Sequence, residues 1–167
     1  MYADQKVCIP LIIRSADKNN LQELIQLGDA GFSLSDASKG GLTSLHCCAR
    51  NGYADICKHL LDNACDPNAQ DVFGDTPLHV ALSYGHIGCS LLLAQHPQLQ
   101  PDVCDKLGRS ALHVLAETFA TAAVTDDLKA VVEALLERGF KTDGADKMGR
   151  TPASLAKSEG LLAMLNK

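Results

Sequence analysis

Residues 71–81 read Asp71-Val72-Phe73-Gly74-Asp75-Thr76-Pro77-Leu78-His79-Val80-Ala81. Glycine takes a positive φ without a Cβ penalty, threonine caps a helix N-terminus, and proline suits the first helical position. The stretch therefore predicts a tight turn at Gly74 that runs into a helix capped by Thr76. One such turn occurs in many folds. Its recurrence at a regular spacing is what decides the architecture.

Weaker copies lie on both sides: Gly41-Leu42-Thr43-Ser44-Leu45-His46 upstream, then Gly108-Arg109-Ser110-Ala111-Leu112-His113 and Gly149-Arg150-Thr151-Pro152 downstream. Gly41, Gly74, Gly108 and Gly149 are 33, 34 and 41 residues apart. The pattern Asp-x-x-Gly-x-Thr-Pro-Leu-His, then Gly85-His86 and a Leu-rich segment, at a period of about 33, resembles the ankyrin repeat. The third copy matches nearly residue for residue, the second and fourth match well, and the two ends match loosely. The resemblance implies an all-α repeat fold, an α-solenoid of β-hairpin tips each followed by two antiparallel helices. Repeats are expected at approximately 5–36, 37–70, 71–103, 104–145 and 146–167, so that residues 1–167 form a single ankyrin-repeat domain.

The chain has 167 residues, is 46% apolar and carries a net charge of −5. Mild acidity argues against general nucleic-acid binding, which needs a basic excess. The apolar run from Val7 to Ile13 is too short for a membrane span and has no basic leader or cleavage site. The expectation is an intracellular protein, cytoplasmic and/or nuclear, monomeric and not inserted in a membrane. Its seven cysteines (Cys8, Cys47, Cys48, Cys57, Cys65, Cys89 and Cys104) are odd in number and scattered, which fits reduced core fillers better than a disulfide framework.

Repeat one has no tip. Its inner helix is expected over Ile9 to Lys18 and its outer helix over Leu21 to Gly28. Asn19 stands where Gly52, Gly85 and Gly160 stand elsewhere, at a left-handed C-cap. Arg14, Asp17, Lys18, Gln22 and Glu23 would keep this starting unit soluble. Repeat two should place helices over Thr43 to Arg50 and Ala54 to Asp62, with Ile56, Leu60 and Leu61 on one apolar face. In repeat three Leu91, Leu92 and Leu93 take that role.

Repeat four is eight residues longer than repeat two between its His and its Leu-Leu pair. The extra stretch, Glu117 to Val124, is Ala-rich without Gly or Pro, so it predicts an inner helix prolonged by about two turns. Thr125 should cap a fresh helix carrying Leu128, Val131, Val132, Leu135 and Leu136, ended by Gly139. The prolonged hairpin, about residues 117 to 127, is expected to stand out from the edge as a clamp. In repeat five Leu-His becomes Ala153-Ser154, and the outer helix is expected over Leu161 to Asn166. That suits either a C-terminal cap or a boundary within a longer protein.

His46, His79 and His113 recur one per repeat. Metal ligands must converge on a point, and these do not. The resemblance implies a structural role for them, shared with Thr43, Thr76, Pro77, Ser110, Thr151 and Pro152. Cys47-Cys48 beside His46, with Cys57 and His59 nearby, is denser, but no C-x-x-C pair is present. Core packing is the leading reading and a cysteine-based redox or metal regulatory module the alternative. There is no nucleophile elbow, Walker loop or G-x-G-x-x-G, and Gly28-Asp29-Ala30-Gly31 follows a helix rather than a strand. No catalytic, cofactor-binding or metal residue is assigned, and no enzyme is expected.

The resemblance implies that tip residues and inner-helix ends line a concave face that contacts partners. On this chain the tips are Lys39, Gly40 and Leu42; Val72, Phe73 and Asp75; Lys106, Leu107 and Arg109; Lys147, Met148 and Arg150. The helix-end pairs are Arg50 and Asn51, Ser83 and Tyr84, Glu117 and Thr118, and Ser158 and Glu159. The residue before each tip glycine (Gly40, Phe73, Leu107, Met148) forms an apolar line, which either stacks along the ridge or meets a partner. Lys106, Arg109, Lys147 and Arg150 are four cations on adjoining tips; they are either solvated or face an acidic or phosphorylated segment. The expected function is a non-catalytic protein–protein interaction module, an adaptor, scaffold or inhibitor. The alternative is a fragment of a larger ankyrin scaffold with a mainly structural role.

Overall fold

A computed structural model describes residues 5–101 and 103–166, with side chains from Leu11 onward; Asp102 and the side chain of Cys8 lie outside the described parts. Three of the inner helices start at a single capping side chain. Thr43, Thr76 and Thr151 sit in extended backbone, and the threonine oxygen accepts the N–H three residues on. Each such cap satisfies one of the unpaired donors at a helix N-terminus.

The resulting elements form helical hairpins. They are α1 (Gln5–Asp17) with α2 (Leu21–Asp29), α3 (Ser44–Asn51) with α4 (Ala54–Asp62), and α5 (Pro77–Ser83) with α6 (Ile87–Gln95). Then follow α7 (Ala111–Thr118) with α8 (Asp126–Glu137), and α9 (Pro152–Leu155) with α10 (Glu159–Leu165). The inner helices α1, α3, α5, α7 and α9 pack in sequence, and α4, α6 and α8 form the outer layer behind them. The core between the layers holds Leu45, Ile56, Leu60, Leu78, Leu82, Leu93, Leu112, Leu115, Leu128 and Leu135, all fully buried. Asn19 takes φ 57 at the end of α1, in the left-handed region expected there.

The tips contain no strand among the described residues; the only β pairing in them is an isolated bridge between Ala37 and Thr43. Each is a turn wrapped around one side chain. Asp71 Oδ1 accepts the N–H groups of Phe73 and Asp75, Asp105 those of Leu107 and Arg109, and Asp146 those of Met148 and Arg150. Ser38 does the same for Gly40 and Leu42. Tips also join one another: Val72 donates to Gly40 O, Lys106 to Phe73 O and Lys147 to Leu107 O, each at 2.9 Å. Gly74 is required at this approach. Its φ is +81, and a Cβ there would lie 2.9 Å from the Lys106 nitrogen.

Two expectations for the C-terminal part fail. The inner helix of repeat four is not prolonged: α7 ends at Thr118, Phe119 is its C-cap, and no helix resumes before Asp126. The loop 119–125 lies against other repeats instead. Phe119 and Val124 pack on the core, and the Ala120 carbonyl accepts the N–H groups of Lys157 and Ser158 at 2.9 and 2.7 Å. Alanine's helix propensity is worth only tenths of a kcal/mol per residue, less than two partnered donors and two half-buried apolar side chains. The clamp reading therefore loses its protruding helix. Gly160, Ser158 and Glu159 are likewise displaced. Because α9 stops after four residues, Ser158 is the N-cap of α10 and Gly160 lies inside that helix, not at a left-handed cap.

Candidate partner-binding face

Three buried histidines set the depth of the face. Backbone N–H groups of Thr43, Thr76 and Ser110 point at Nδ1 of His46, His79 and His113, so Nδ1 accepts. Nε2 then carries the proton and donates across the repeat boundary, to Asp75 O (3.0 Å), Arg109 O (3.1 Å) and Arg150 O (3.0 Å). Burial lowers the pKa of His46, and lowers that of His79 to about 4, which keeps both rings neutral. In repeat five Ser154 completes the same local cap on Thr151, and Pro152 is buried at the first helical position. The Ser154 hydroxyl donates back to Thr151 O and makes no bond to another repeat.

A second imidazole links backwards. His86 Nε2 lies 2.9 Å from Arg50 O, and the ring passes so close to Gly52 that a Cβ there would fall 2.6 Å from Nδ1. Tyr84 stacks on His86, with ring centroids 6.4 Å apart and planes 4° from parallel.

The cysteines fill space. Cys47, Cys48, Cys57, Cys65 and Cys89 are buried, and the Cys48 thiol donates to Leu45 O. Burial holds the Cys47 thiol up at about 11, and raises Cys65 too. Neighbouring thiols and burial push Cys57 and Cys89 well above the ordinary thiol range. An enclosed, protonated thiol is a poor nucleophile, and among the described residues no group of three or more His, Cys, Asp or Glu side chains converges as metal ligands would. Cys104 is exposed.

The apolar ridge is present and open. Val72, Phe73, Leu107 and Met148 are 50%, 67%, 51% and 70% exposed, and Tyr84 is 60% exposed at the end of α5. Lys39, Lys106 and Ser83 are exposed, Leu42 partly so. Other residues assigned to the face are engaged within the protein. Arg50 Nη2 and Asn51 Nδ2 both donate to Asp17 Oδ1, at 2.8 and 2.9 Å, joining repeats one and two. Those bonds, Asn51 foremost, lower the Asp17 pKa. Asp75 is half-buried with Asp71 and Asp105 nearby; burial first, then those charges, raise its pKa.

The four tip cations are not equivalent. Lys147 Nζ donates to Lys106 O at 2.7 Å. Arg109 Nε binds Asp105 Oδ2 at 2.7 Å, and Arg150 Nε and Nη2 bind Asp146 Oδ2 at 2.8 Å. Both arginines turn Nη1 toward Glu117, at 2.9 and 3.7 Å. Three carboxylates thus offset the charge of the two arginines, leaving Lys39, Lys106 and Lys147 as the exposed tip cations. The contribution of Asp71, Asp105 and Asp146 to the tips was signalled by the recurring Asp three residues before each glycine. Gln70, which bridges Gly74 O and Cys104 O, carried no such signal.

Helical hairpins stacked through capped turns, with an open ridge of tips, define a repeat-type interaction scaffold. The chain belongs to the ankyrin-repeat family: a family model for ankyrin repeats in three copies matches residues 4–71 and 45–121. Curated relatives include a palmitoyltransferase, provisionally so named, of Danio rerio, 30% identical over 149 residues, or 87% of this chain and 21% of the relative. Rabankyrin-5 of Mus musculus is 28% identical over 84% of this chain and 12% of its own length. NF-kappa-B inhibitor alpha of Gallus gallus is 38% identical over 42% of this chain and 22% of its own. The chain thus spans about a fifth or less of these relatives. Ankyrin repeats mediate protein–protein interaction, and proteins of this family include adaptors, inhibitors and enzymes that carry the repeats beside a separate domain. No helix among the described residues is long and apolar enough to cross a membrane.

Proposed function

We propose that this chain is a non-catalytic interaction module that holds an extended segment of another protein along its concave face, between the tips and the inner helices. Phe73 and Tyr84 are its aromatic anchors, with Leu107 and Met148 continuing the contact. The observation that carries this reading is the continuous run of exposed apolar side chains on tips tied to each other by backbone hydrogen bonds. Large apolar residues left in water on a rigid frame gain most from burial against a partner. Lys106 and Lys39 favour acidic character in that segment.

The test compares proteins that co-purify from extract with the wild type and with Phe73→Ala/Tyr84→Ala, after thermal melts establish that both are folded. Selective loss of partners from the double variant is expected. The same partners in the same amounts would overturn the reading.

A further inference from the structure

We propose that Glu117 occupies the seat of a partner's carboxylate: Arg109 and Arg150 form a two-guanidinium clamp, and an acidic side chain of the bound segment displaces Glu117 from it. The proposal rests on the interaction function argued above.

The two arginines are the fixed part of the arrangement. Each is anchored by its tip aspartate, whose side chain is 3% exposed at Asp105 and 0% at Asp146. Those carboxylates in turn hold two backbone N–H groups each and cannot move without opening the turn. With Nε committed, each guanidinium presents Nη1 to the same point. One Nη1 meets Oε2 of Glu117 and the other approaches Oε1, so the pair reads the two oxygens of one planar carboxylate. A carboxylate has two such oxygens in a plane, which suits this spacing better than a tetrahedral phosphate.

Glu117 is the replaceable part. Its side chain is 45% exposed, and its second contact is long at 3.7 Å. It stands next to last in α7, where the negative end of the helix dipole disfavours an anion. The equivalent positions in repeats two and three carry Arg50 and Ser83, so a carboxylate here is particular to repeat four. Leu107 and Met148 lie two residues before the arginines on the same tips, which places the clamp beside the open ridge. The occupant it fits is an extended segment in which acidic and apolar side chains alternate.

The probe is an acetylated Leu-Glu alternating hexapeptide, titrated into ¹⁵N-labelled protein while the Nε–H resonances of Arg109 and Arg150 are followed. Its Leu-Gln and Leu-phosphoserine counterparts serve as controls. Removing the resident carboxylate in Glu117→Gln should tighten the Leu-Glu peptide about fivefold, the scale of one exposed ion pair. The Leu-Gln peptide should gain nothing. Equal affinity for wild type and variant, no shift at either arginine up to millimolar peptide, or a Glu117→Gln protein that does not fold would each overturn the proposal. Preference for the phosphoserine peptide would overturn the assignment to a carboxylate. Failure of the clamp leaves the Phe73/Tyr84 comparison untouched, so the two readings fall separately.

Discussion

The Nε2–H of His79 donates to the carbonyl oxygen of Arg109 across 3.1 Å, while Nδ1 of the same ring accepts from Thr76. One neutral side chain thus closes a helix cap in repeat three and ties it to the tip of repeat four. His79→Ala removes a buried ring and strands donors and an acceptor on both sides. The expected loss is about 2–4 kcal/mol of stability. Urea unfolding followed by circular dichroism measures it, and an unshifted midpoint would refute the cross-repeat role.

The same ring makes the fold acid-sensitive above the carboxylate range. His79 has a folded pKa of about 4, below its ordinary 6.5, and His46 is lowered in the same direction. The unfolded chain therefore binds more protons as pH falls. Stability is intact above about pH 6.5 and drops progressively toward pH 4, with His79 contributing on the order of 3 kcal/mol. Asp17, Asp105 and Asp146 have lowered values, so their contributions disappear only below the ordinary carboxylate pKa. Unfolding midpoints at pH 7.5, 6, 5 and 4.5 should decline in the wild type and flatten in His79→Gln.

Gly52 and Gly139 separate backbone strain from collision. Both have positive φ, +76 and +86, but a Cβ meets the His86 ring at Gly52 and nothing within 4 Å at Gly139. Gly139→Ala should cost about 1–2 kcal/mol, the left-handed penalty alone. Gly52→Ala must also displace His86 from Arg50 O, adding roughly another 1 kcal/mol. Equal melting temperatures for the two variants would contradict the close approach.

The loop 119–125 gives a third kind of test. Replacing Phe119 and Val124 by alanine removes half-buried apolar contacts, and hydrogen exchange should then accelerate in α9 and α10 more than in α3 and α4. Uniform acceleration along the chain would show that the loop does not specifically support repeat five.

Much of the scaffold could be read directly. The Thr-Pro or Thr-Ser cap, the glycine turn and the i, i+4 leucine spacing are local signals, and each appears where the residues place it. The expected Ala54–Asp62 helix coincides with α4. The loop of repeat four defeated the same reasoning because propensity is local, whereas the contacts of Phe119, Ala120 and Val124 come from residues 34 or more positions away. The tips were legible as positions but not as states. That Phe73, Leu107 and Met148 are open follows from tip geometry. That Arg109 and Arg150 share Glu117 needs the end of α7 brought beside both tips, which spacing alone does not reveal.

One consequence of the repeat-four loop concerns how the stack comes apart. In a simple solenoid each unit touches only its immediate neighbours, and unfolding spreads along one dimension. Here adjacent residues reach in opposite directions: Phe119 lies beside Gly85 in repeat three, and the Ala120 carbonyl holds the chain entering α10. Both are nearest-neighbour contacts, so one short loop reinforces the interfaces of repeat four with repeat three and with repeat five at once. The last three repeats should melt as one cooperative block, leaving the Asp17–Arg50 junction at the other end as the place where fraying begins.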